Sequence, residues 1–503
     1  MLLWNYAKVL VVFLLLMLLL VNCSYFKPTQ RPNSPVTKLR SELDYIFDEP
    51  AFADAHWGVV VLSLKNGEFL YVRNPHKNFV PASNMKLFTT ATALVKLGPD
   101  FRYKTRIYGT GPVDNSGVLH GDLVIAGAGD PTLSARFYKG DVTKPLEQWV
   151  DSLLARKIVV INGNIIGDDN RFEDEIMGEG WSWDYESDWY AAQISGLSYN
   201  DNCMDIYLAP GDSLGRPAKF RLLPETDYVK IINKTITVRP EFEKEITFKR
   251  KRGTNQVVIS GAIASNSPPR HDWFSVENPT LFTVTVFKQL LLRRGIAVSG
   301  SAQDIDDLNG FSYSRADSNL LFEVSSPPLT EIVDVVNKVS QNLYAEQLLR
   351  TLGAQFRGIG DASHGIEVVK EFLQSIGVAT DRFLMYDGSG LSRLNMVTPT
   401  QIVTLLKAMR RHPVGEYFYK SLPVAGVDGT IVNRMQQTAA QNNVRAKTGY
   451  VGHVRALSGY VTTLDKEELA FSIIANNYSA PTAMANLIQD FVCERLANFS
   501  RGQ

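Results

Sequence analysis

An α/β layered domain interrupted by a large β-rich insertion is the fold class that the sequence predicts. Three observations carry this. A hairpin signal stands near the N-terminus, two strand-like runs stand near the C-terminus, and a helical middle lies after a long stretch of short β-rich runs. Strands from both ends of the chain then share one sheet, with helices packed on it. At 503 residues, and roughly 150 residues per domain, there is material for several domains with real cores.

The first segment sets the compartment. One charge, Lys8, precedes the apolar run Val9–Val21, the proportions of a secretion signal rather than of a spanning helix of about 20 residues. This divides the terminus into a signal peptide over 1–22 and a polar, proline-rich tether over 23–36. An uncleaved anchor competes with that reading, because Met1-Leu2-Leu3-Trp4 extends the apolar stretch. Leu20-Val21-Asn22-Cys23 also resembles a bacterial lipobox, in which the cysteine becomes lipidated, although Asn22 departs from the small residue usual there. On each reading the body is exported to the periplasm or cell envelope, and Cys23 or the anchor would tie it to the membrane.

Trp57–Leu64, Asn66-Gly67 and Glu68–Tyr71 form the strongest short hairpin signal in the chain. Met85–Leu97 reads as a helix with Met85, Phe88, Ala91 or Ala93, and Leu94 on one side and Gly98 as its stop. From Phe101 to Trp273 short β-rich runs dominate, such as Lys157–Ile161 and Gln256–Ser260, separated by glycine and asparagine. Helical periodicity returns over Glu331–Lys338, Leu343–Leu352, Gly365–Ile376, Thr400–Met409 and Met484–Leu496. The last has Met484, Leu487, Ile488, Phe491 and Val492 as its core stripe. Ala456–Thr463 and Glu468–Ala475 read as strands around an Asp465-Lys466 turn.

Composition narrows the function. The 52 basic and 52 acidic side chains balance, which gives no support for nucleic-acid binding by bulk charge. Cys23, Cys203 and Cys493 are too scattered for a disulfide framework or a CxxC metal site, and whether Cys203 meets Cys493 is open. The histidines form no HxH or HExxH pair, so no metal centre or cofactor is implied.

Three short motifs point to chemistry: Ser83-Asn84-Met85-Lys86, Ser340-Gln341-Asn342 and Lys447-Thr448-Gly449. The set is the one known from β-lactamases and penicillin-binding proteins. Singly they are weak, since roughly one or two SxxK and SxN matches and about 0.1 KTG match arise by accident in such a chain. Taken alone, Ser83 reads as a helix cap, Ser340–Asn342 as a turn and Lys447–Gly449 as a strand end. Their context is stronger. Ser83 opens the predicted helix, and Lys86, three residues on, faces the same way. A serine needs a base, and a buried lysine beside a second cation such as Lys447 can lose its proton near neutral pH. Ser340 and Asn342 lie in a loop between helical runs. Val444–Tyr450 is strand-like, and Gly449 would let a substrate backbone approach closely.

With these motifs, Gly129–Leu133, Ser198–Asn202, Asp387–Arg393 with Thr398-Pro399, and Gly426–Thr430 resemble signature segments of one family. It is the class C low-molecular-mass penicillin-binding proteins, the D-alanyl-D-alanine carboxypeptidases/endopeptidases. The likeness runs from about residue 37 to the end, and the 257 positions between Ser83 and Ser340 suit that family's large insertions. The resemblance implies a transpeptidase/β-lactamase-like domain, an antiparallel sheet with helices on both faces, over 37–103 and 272–503. Nested insertions follow: an inserted domain II over 104–130 and 205–271, and a domain III over 131–204.

The resemblance also implies roles. Ser83 attacks the carbonyl of the penultimate D-alanine and forms an acyl-enzyme, Lys86 takes its proton, and Ser340 relays a proton to the leaving amine. Asn342 holds the substrate amide and Lys86. Lys447 and Thr448 bind the terminal carboxylate, and the backbone N–H groups of Ser83 and Tyr450 form the oxyanion hole. Asp184 would meet the free amine of the stem peptide's third residue, against the alternative of a solvated loop carboxylate. Arg393 would border the cleft or form a surface ion pair. Asp428-Gly429-Thr430 is expected to fix a turn and His453 to be structural, because lysine already supplies a base. The implied partners are peptidoglycan stem peptides and β-lactams, with homodimerisation open. Two other readings compete: a serine β-lactamase, which lacks here a Glu-x-x-x-Asn element and has no need of insertions, and a non-catalytic wall-binding or β-lactam-sensing protein, which has no need of nucleophile and base together.

Overall fold

The computed structural model describes residues 34–502, so the signal peptide, Cys23 and most of the tether lie outside the described residues. The tether stops sooner than expected. The Ser34 side chain accepts from the Thr37 N–H and caps the helix Pro35–Phe47, with proline in its first turn. Both are helix-start signals, so residues 35–36 belong to the folded body. No helix among the described residues is long and apolar enough to cross a membrane.

Five antiparallel strands form the central sheet in the order Arg445–Val451, Val454–Thr462, Glu468–Asn476, His56–Ser63 and Phe69–Arg73. The first strand of the chain therefore pairs with the last, with Val59 opposite Ile473. Both chain ends meet in one sheet, as the sequence predicts. Val59 and Val61 belong to the core that includes the helices Pro35–Phe47 and Thr482–Ala497. Val60 and Leu62 pack instead against the helical middle. Burial on both faces explains why this strand is apolar throughout rather than alternating.

Two helices differ from expectation. Met85–Lys96 is buried on every side from Met85 to Leu94. Its threonines make one face look polar in sequence, yet Thr89, Thr90 and Thr92 donate to the carbonyls of Gly388, Lys86 and Phe88. Self-satisfied hydroxyls can be buried at little cost. In Thr482–Ala497 the buried row is Ala485, Ile488, Val492 and Leu496, and Leu487 and Phe491 of the expected stripe face outward. The helices Leu329–Asp334, Asn342–Phe356, Ala362–Ser375 and Pro399–Arg411 fill the middle, the first running into a π-turn, Val335–Val339.

The insertion divides differently from the nested boundaries 104–130/205–271 and 131–204. Its main sheet has the order Ala302–Asp304, Ile165–Asp168, Leu123–Ala126, Lys104–Gly109, Leu320–Ser325. Leu123 and Ala302 both pair in parallel with Ile165, so segments assigned to both inserted domains and to the catalytic domain share one sheet. The helices Lys144–Ala155 and Pro279–Arg293 supply its core, where Trp149 meets Phe287 edge-on. The inner excursion is instead residues 203–275, which form two three-stranded sheets. Parallel pairing joins residues far apart in the chain, and the local β texture carries no trace of it. Cys203 and Cys493 are buried free thiols.

Phe471 is wholly buried in the sheet strand Glu468–Asn476. Phe471→Ala is expected to lower stability by about 3–5 kcal/mol, read as a shift in the urea unfolding midpoint.

Candidate active site

Ser83 sits in a single 3₁₀ turn, Ala82–Asn84, that leads directly into the helix Met85–Lys96. One turn on, the Lys86 Nζ lies 2.9 Å from the Ser83 Oγ. Two further oxygens surround the same nitrogen: Asn342 Oδ1 at 2.6 Å and the Ser389 carbonyl at 2.7 Å. A carbonyl oxygen can only accept. A neutral amine with two N–H bonds spends both on these oxygens and turns its lone pair to the Ser83 hydroxyl.

The electrostatics favour that neutral form. Lys86 is fully buried, and burial brings its pKa down to about 7 against the opposing pull of the Asp387 and Glu346 carboxylates. Lys447 is buried too and is held well below the usual lysine range by burial first, then by the charges of Lys86 and Arg455. Its Nζ donates to Ser340 Oγ at 2.7 Å and to the Thr448 carbonyl at 3.1 Å.

Ser340 ends the π-turn Val335–Val339 in the left-handed region, φ 67° and ψ 35°. That conformation costs a non-glycine residue about 1–2 kcal/mol and aims the hydroxyl across the cleft. Asn342 begins the next helix, and its Nδ2 donates to the Tyr190 carbonyl at 2.7 Å, a residue of the insertion. On the opposite wall Arg445–Val451 is the sheet's edge strand, so alternate backbone groups face the cleft. Thr448 lines the cleft and hydrogen-bonds Thr430 at 2.8 Å.

The cleft has a volume of about 560 Å³ and is lined by Ser83, Ser340, Asn342, Thr448 and Tyr450 among others. Among the described residues Arg455 is the charged one in its lining, with no aspartate or glutamate. Three loosely spaced motifs therefore meet around one groove, with Ser83, Lys86, Ser340, Asn342, Lys447 and Thr448 in mutual reach.

The remaining candidates fall outside that group. Gly449 serves the protein's own packing: a Cβ there would stand 2.6 Å from the Pro81 carbonyl, so the glycine admits the serine turn rather than a substrate. Asp184 is exposed and is bonded by the Ser182 hydroxyl, and it is its neighbour Tyr185 that lines the cleft. Arg393 makes no ion pair among the described residues; it donates to the carbonyl of the cleft-lining Gly452 at 2.7 Å. His453 donates its Nδ1 proton to the Tyr478 carbonyl at 3.0 Å and is structural. Asp428 fixes a turn, accepting from the Val424 N–H at 2.8 Å and pairing with Lys338 at 2.6 Å.

Sequence reasoning misses the loop behind Lys86. Asp387 accepts from the N–H groups of Gly390 and Ser392, from Asn395 and from the Trp181 indole. Glu346 accepts from the N–H groups of Gly388 and Ser389. Together they hold the Ser389 carbonyl on the lysine. Gly390, at φ 85°, is essential here, since a Cβ would fall 1.9 Å from the Ala82 carbonyl. The run Asp-Gly-Ser-Gly announces a tight turn, but a backbone carbonyl leaves no mark in sequence.

Residues 39–497 match the profile of the D-Ala-D-Ala carboxypeptidase 3 (S13) family. The chain belongs to this family. As a member it is a serine-type D,D-peptidase. It is 34% identical over 479 residues to a D-alanyl-D-alanine carboxypeptidase of Actinomadura sp. (strain R39), covering 93% of this chain and 86% of that protein. Identity to the penicillin-sensitive carboxypeptidase A of Dictyostelium discoideum is 29%, over 87% of this chain and 86% of that one. In fold it resembles penicillin binding protein 4 (dacB) of Haemophilus influenzae, with TM-score 0.79 at 23% identity, covering 91% of this chain and 99% of that one.

Proposed function

We propose that this S13-family member cleaves the D-Ala-D-Ala ends of peptidoglycan stem peptides, and D,D-cross-links of the same chemistry, through an ester on Ser83. The observation that carries the reading is the Lys86 amine, set 2.9 Å from the serine hydroxyl with two carbonyl oxygens taking its other hydrogens. In the proposed cycle Ser83 Oγ attacks the penultimate carbonyl carbon while its proton passes to Lys86. The peptide C–N bond then breaks, and Ser340, bonded to Lys447, passes its hydroxyl proton to the departing amine and takes up in its place the proton that Lys86 received from Ser83. Water hydrolyses the ester and restores the hydroxyl. The N–H groups of Ser83 and Tyr450 would stabilise the oxyanion, an effect of about 3–4 kcal/mol per donor in comparable enzymes.

A terminal carboxylate suits the cleft. Among the described residues its lining contains Arg455 and no acidic side chain, and Lys447 is held below its normal pKa by burial and then by the charges of Lys86 and Arg455. An arriving carboxylate supplies a counter-charge that favours the protonated amine. β-Lactams, which mimic the D-Ala-D-Ala end, are proposed to acylate Ser83; the Dictyostelium relative is named for penicillin sensitivity. Export to the cell envelope follows from the substrate and from the Val9–Val21 run. Lipidation of Cys23 and a homodimer are refinements that this reading does not require. In this reading Asp184, next in sequence to the cleft-lining Tyr185, and Arg393, bonded to the cleft-lining Gly452, would meet the rest of the stem peptide as it leaves the cleft.

Three outcomes are expected. Ser83→Ala abolishes both covalent labelling by fluorescent penicillin and D-alanine release while thermal unfolding is unchanged; D-alanine release from purified mutant protein would overturn the mechanism. The labelling rate falls as pH drops through about 7, because the protonated Lys86 has no lone pair for the serine proton; a flat profile from pH 5 to 9 contradicts this. Lys447→Ala lowers kcat/KM on carboxylate-ended peptides by at least about 100-fold, in the range for a lost buried charge pair, and far less on the amidated analogues. Equal losses on both would remove the assigned role.

A further inference from the structure

A second pocket, of about 660 Å³, adjoins the cleft and shares Trp189 and Val339 with it. Its far wall belongs to the inner excursion of the insertion. There the Tyr207 and His271 rings stack 4.3 Å apart and 4° from parallel, and Trp273 stands 4.5 Å from His271. Trp273 is 40% exposed, so part of its indole is open to the pocket.

One carboxylate sets these rings in place. Asp205, itself buried, accepts from His271 Nε2 at 2.6 Å and Trp273 Nε1 at 3.0 Å on one oxygen, and from Asn200 at 2.7 Å on the other. The indole N–H is thereby spent, and what the pocket offers is ring surface held rigid before any ligand arrives. Fixing such groups in advance removes an ordering cost from binding.

The charges in the pocket are already paired. Arg136 meets Asp201 at 2.7 Å, and Asp205 is saturated by its three donors. An ionic ligand would have to displace one of these partners. A neutral ligand with a flat C–H face and hydroxyl or amide edges would not, because the rings take the face and the rim amides and hydroxyls take the edges.

We infer that this pocket binds an N-acetylated amino-sugar residue of the glycan strand that carries the stem peptide. The inference rests on the D,D-peptidase reading for the identity of the substrate and adds the glycan to what the protein recognises. The pocket is also wired to the cleft. Asp201 accepts from Gln341 at 3.1 Å and from Tyr344 at 2.9 Å, and Gln341 separates Ser340 from Asn342. A sugar seated on Trp273 therefore braces the loop that bears both residues.

The test compares a free stem pentapeptide with the same pentapeptide on its N-acetylglucosaminyl-N-acetylmuramyl disaccharide. Wild-type protein is expected to prefer the disaccharide form. Trp273→Ala should lower kcat/KM on that form by about tenfold, the worth of one aromatic face, while leaving the free peptide and penicillin labelling unchanged. Trp273→Phe, which keeps a ring without the Asp205 bond, should recover most of the loss. Equal wild-type values for the two substrates, or equal losses on both in the alanine variant, overturn the inference. Absence of D-alanine release from either substrate would count against the peptidase reading instead. The pocket is then judged by saturation-transfer NMR with the disaccharide alone, whose signal must be present in wild type and lost in Trp273→Ala; a signal absent from wild type, or kept in the variant, refutes it.

Discussion

A single buried amine organises this protein. The Lys86 nitrogen draws together the serine turn, the start of a helix more than 250 residues later and the backbone of a third segment at Ser389. Removing an ammonium from water costs several kcal/mol even after relaxation, so the site tolerates the amine mainly as a neutral donor and acceptor. The Asp387 and Glu346 carboxylates oppose burial and leave its pKa at about 7, which suits the proposed role of base at neutral pH. Burial and the two carboxylates oppose one another, and the chemistry depends on the difference between them.

Much of the surrounding structure exists to keep that balance. Glu346 is itself pushed up to about 7 by burial and by Asp387, while the N–H groups of Ser389 and Gly388 pull it back. The unusual backbone nearby has the same origin. Ser340 in the left-handed region is a conformation that a non-glycine residue holds only when neighbouring contacts impose it, and the close approach of Gly390 to the Ala82 carbonyl is open to glycine alone. Both sit at the points where an oxygen must be brought to a lysine: the Ser340 hydroxyl to Lys447, and the Ser389 carbonyl to Lys86.

How much of this was legible in sequence depends on whether the information was local. Ser83 and Lys86 are readable because helical spacing alone places them together. The terminal strands are readable because Asn66-Gly67 and Asp465-Lys466 mark tight turns between apolar runs. Ser340, Asn342 and Lys447 are readable only as a set, through resemblance, since nothing in their own neighbourhoods says that they converge. The divisions of the insertion are not legible for the same reason: Ile165 pairs with both Leu123 and Ala302, and no local pattern predicts a parallel partner over 130 residues away. Gly449 was assigned to the substrate when it serves the Pro81 carbonyl, because a strand glycine signals close approach without naming what approaches.

The insertion also has a part in the chemistry that neither motif nor composition reveals. Asn342 can serve Lys86 only if its amide presents the oxygen, not the nitrogen, to that amine. The choice is made on the amide's other side, where Nδ2 donates to the Tyr190 carbonyl at 2.7 Å. A backbone carbonyl accepts and never donates, so it fixes the amide in the orientation that a lysine base needs. Trp181, from the same stretch, binds Asp387 at 2.9 Å behind the Ser389 carbonyl. Two of the three oxygens around Lys86 are therefore aligned by residues of the insertion. In the proposed mechanism the insertion is therefore more than a specificity module, because its Tyr190 carbonyl holds the Asn342 oxygen toward the lysine.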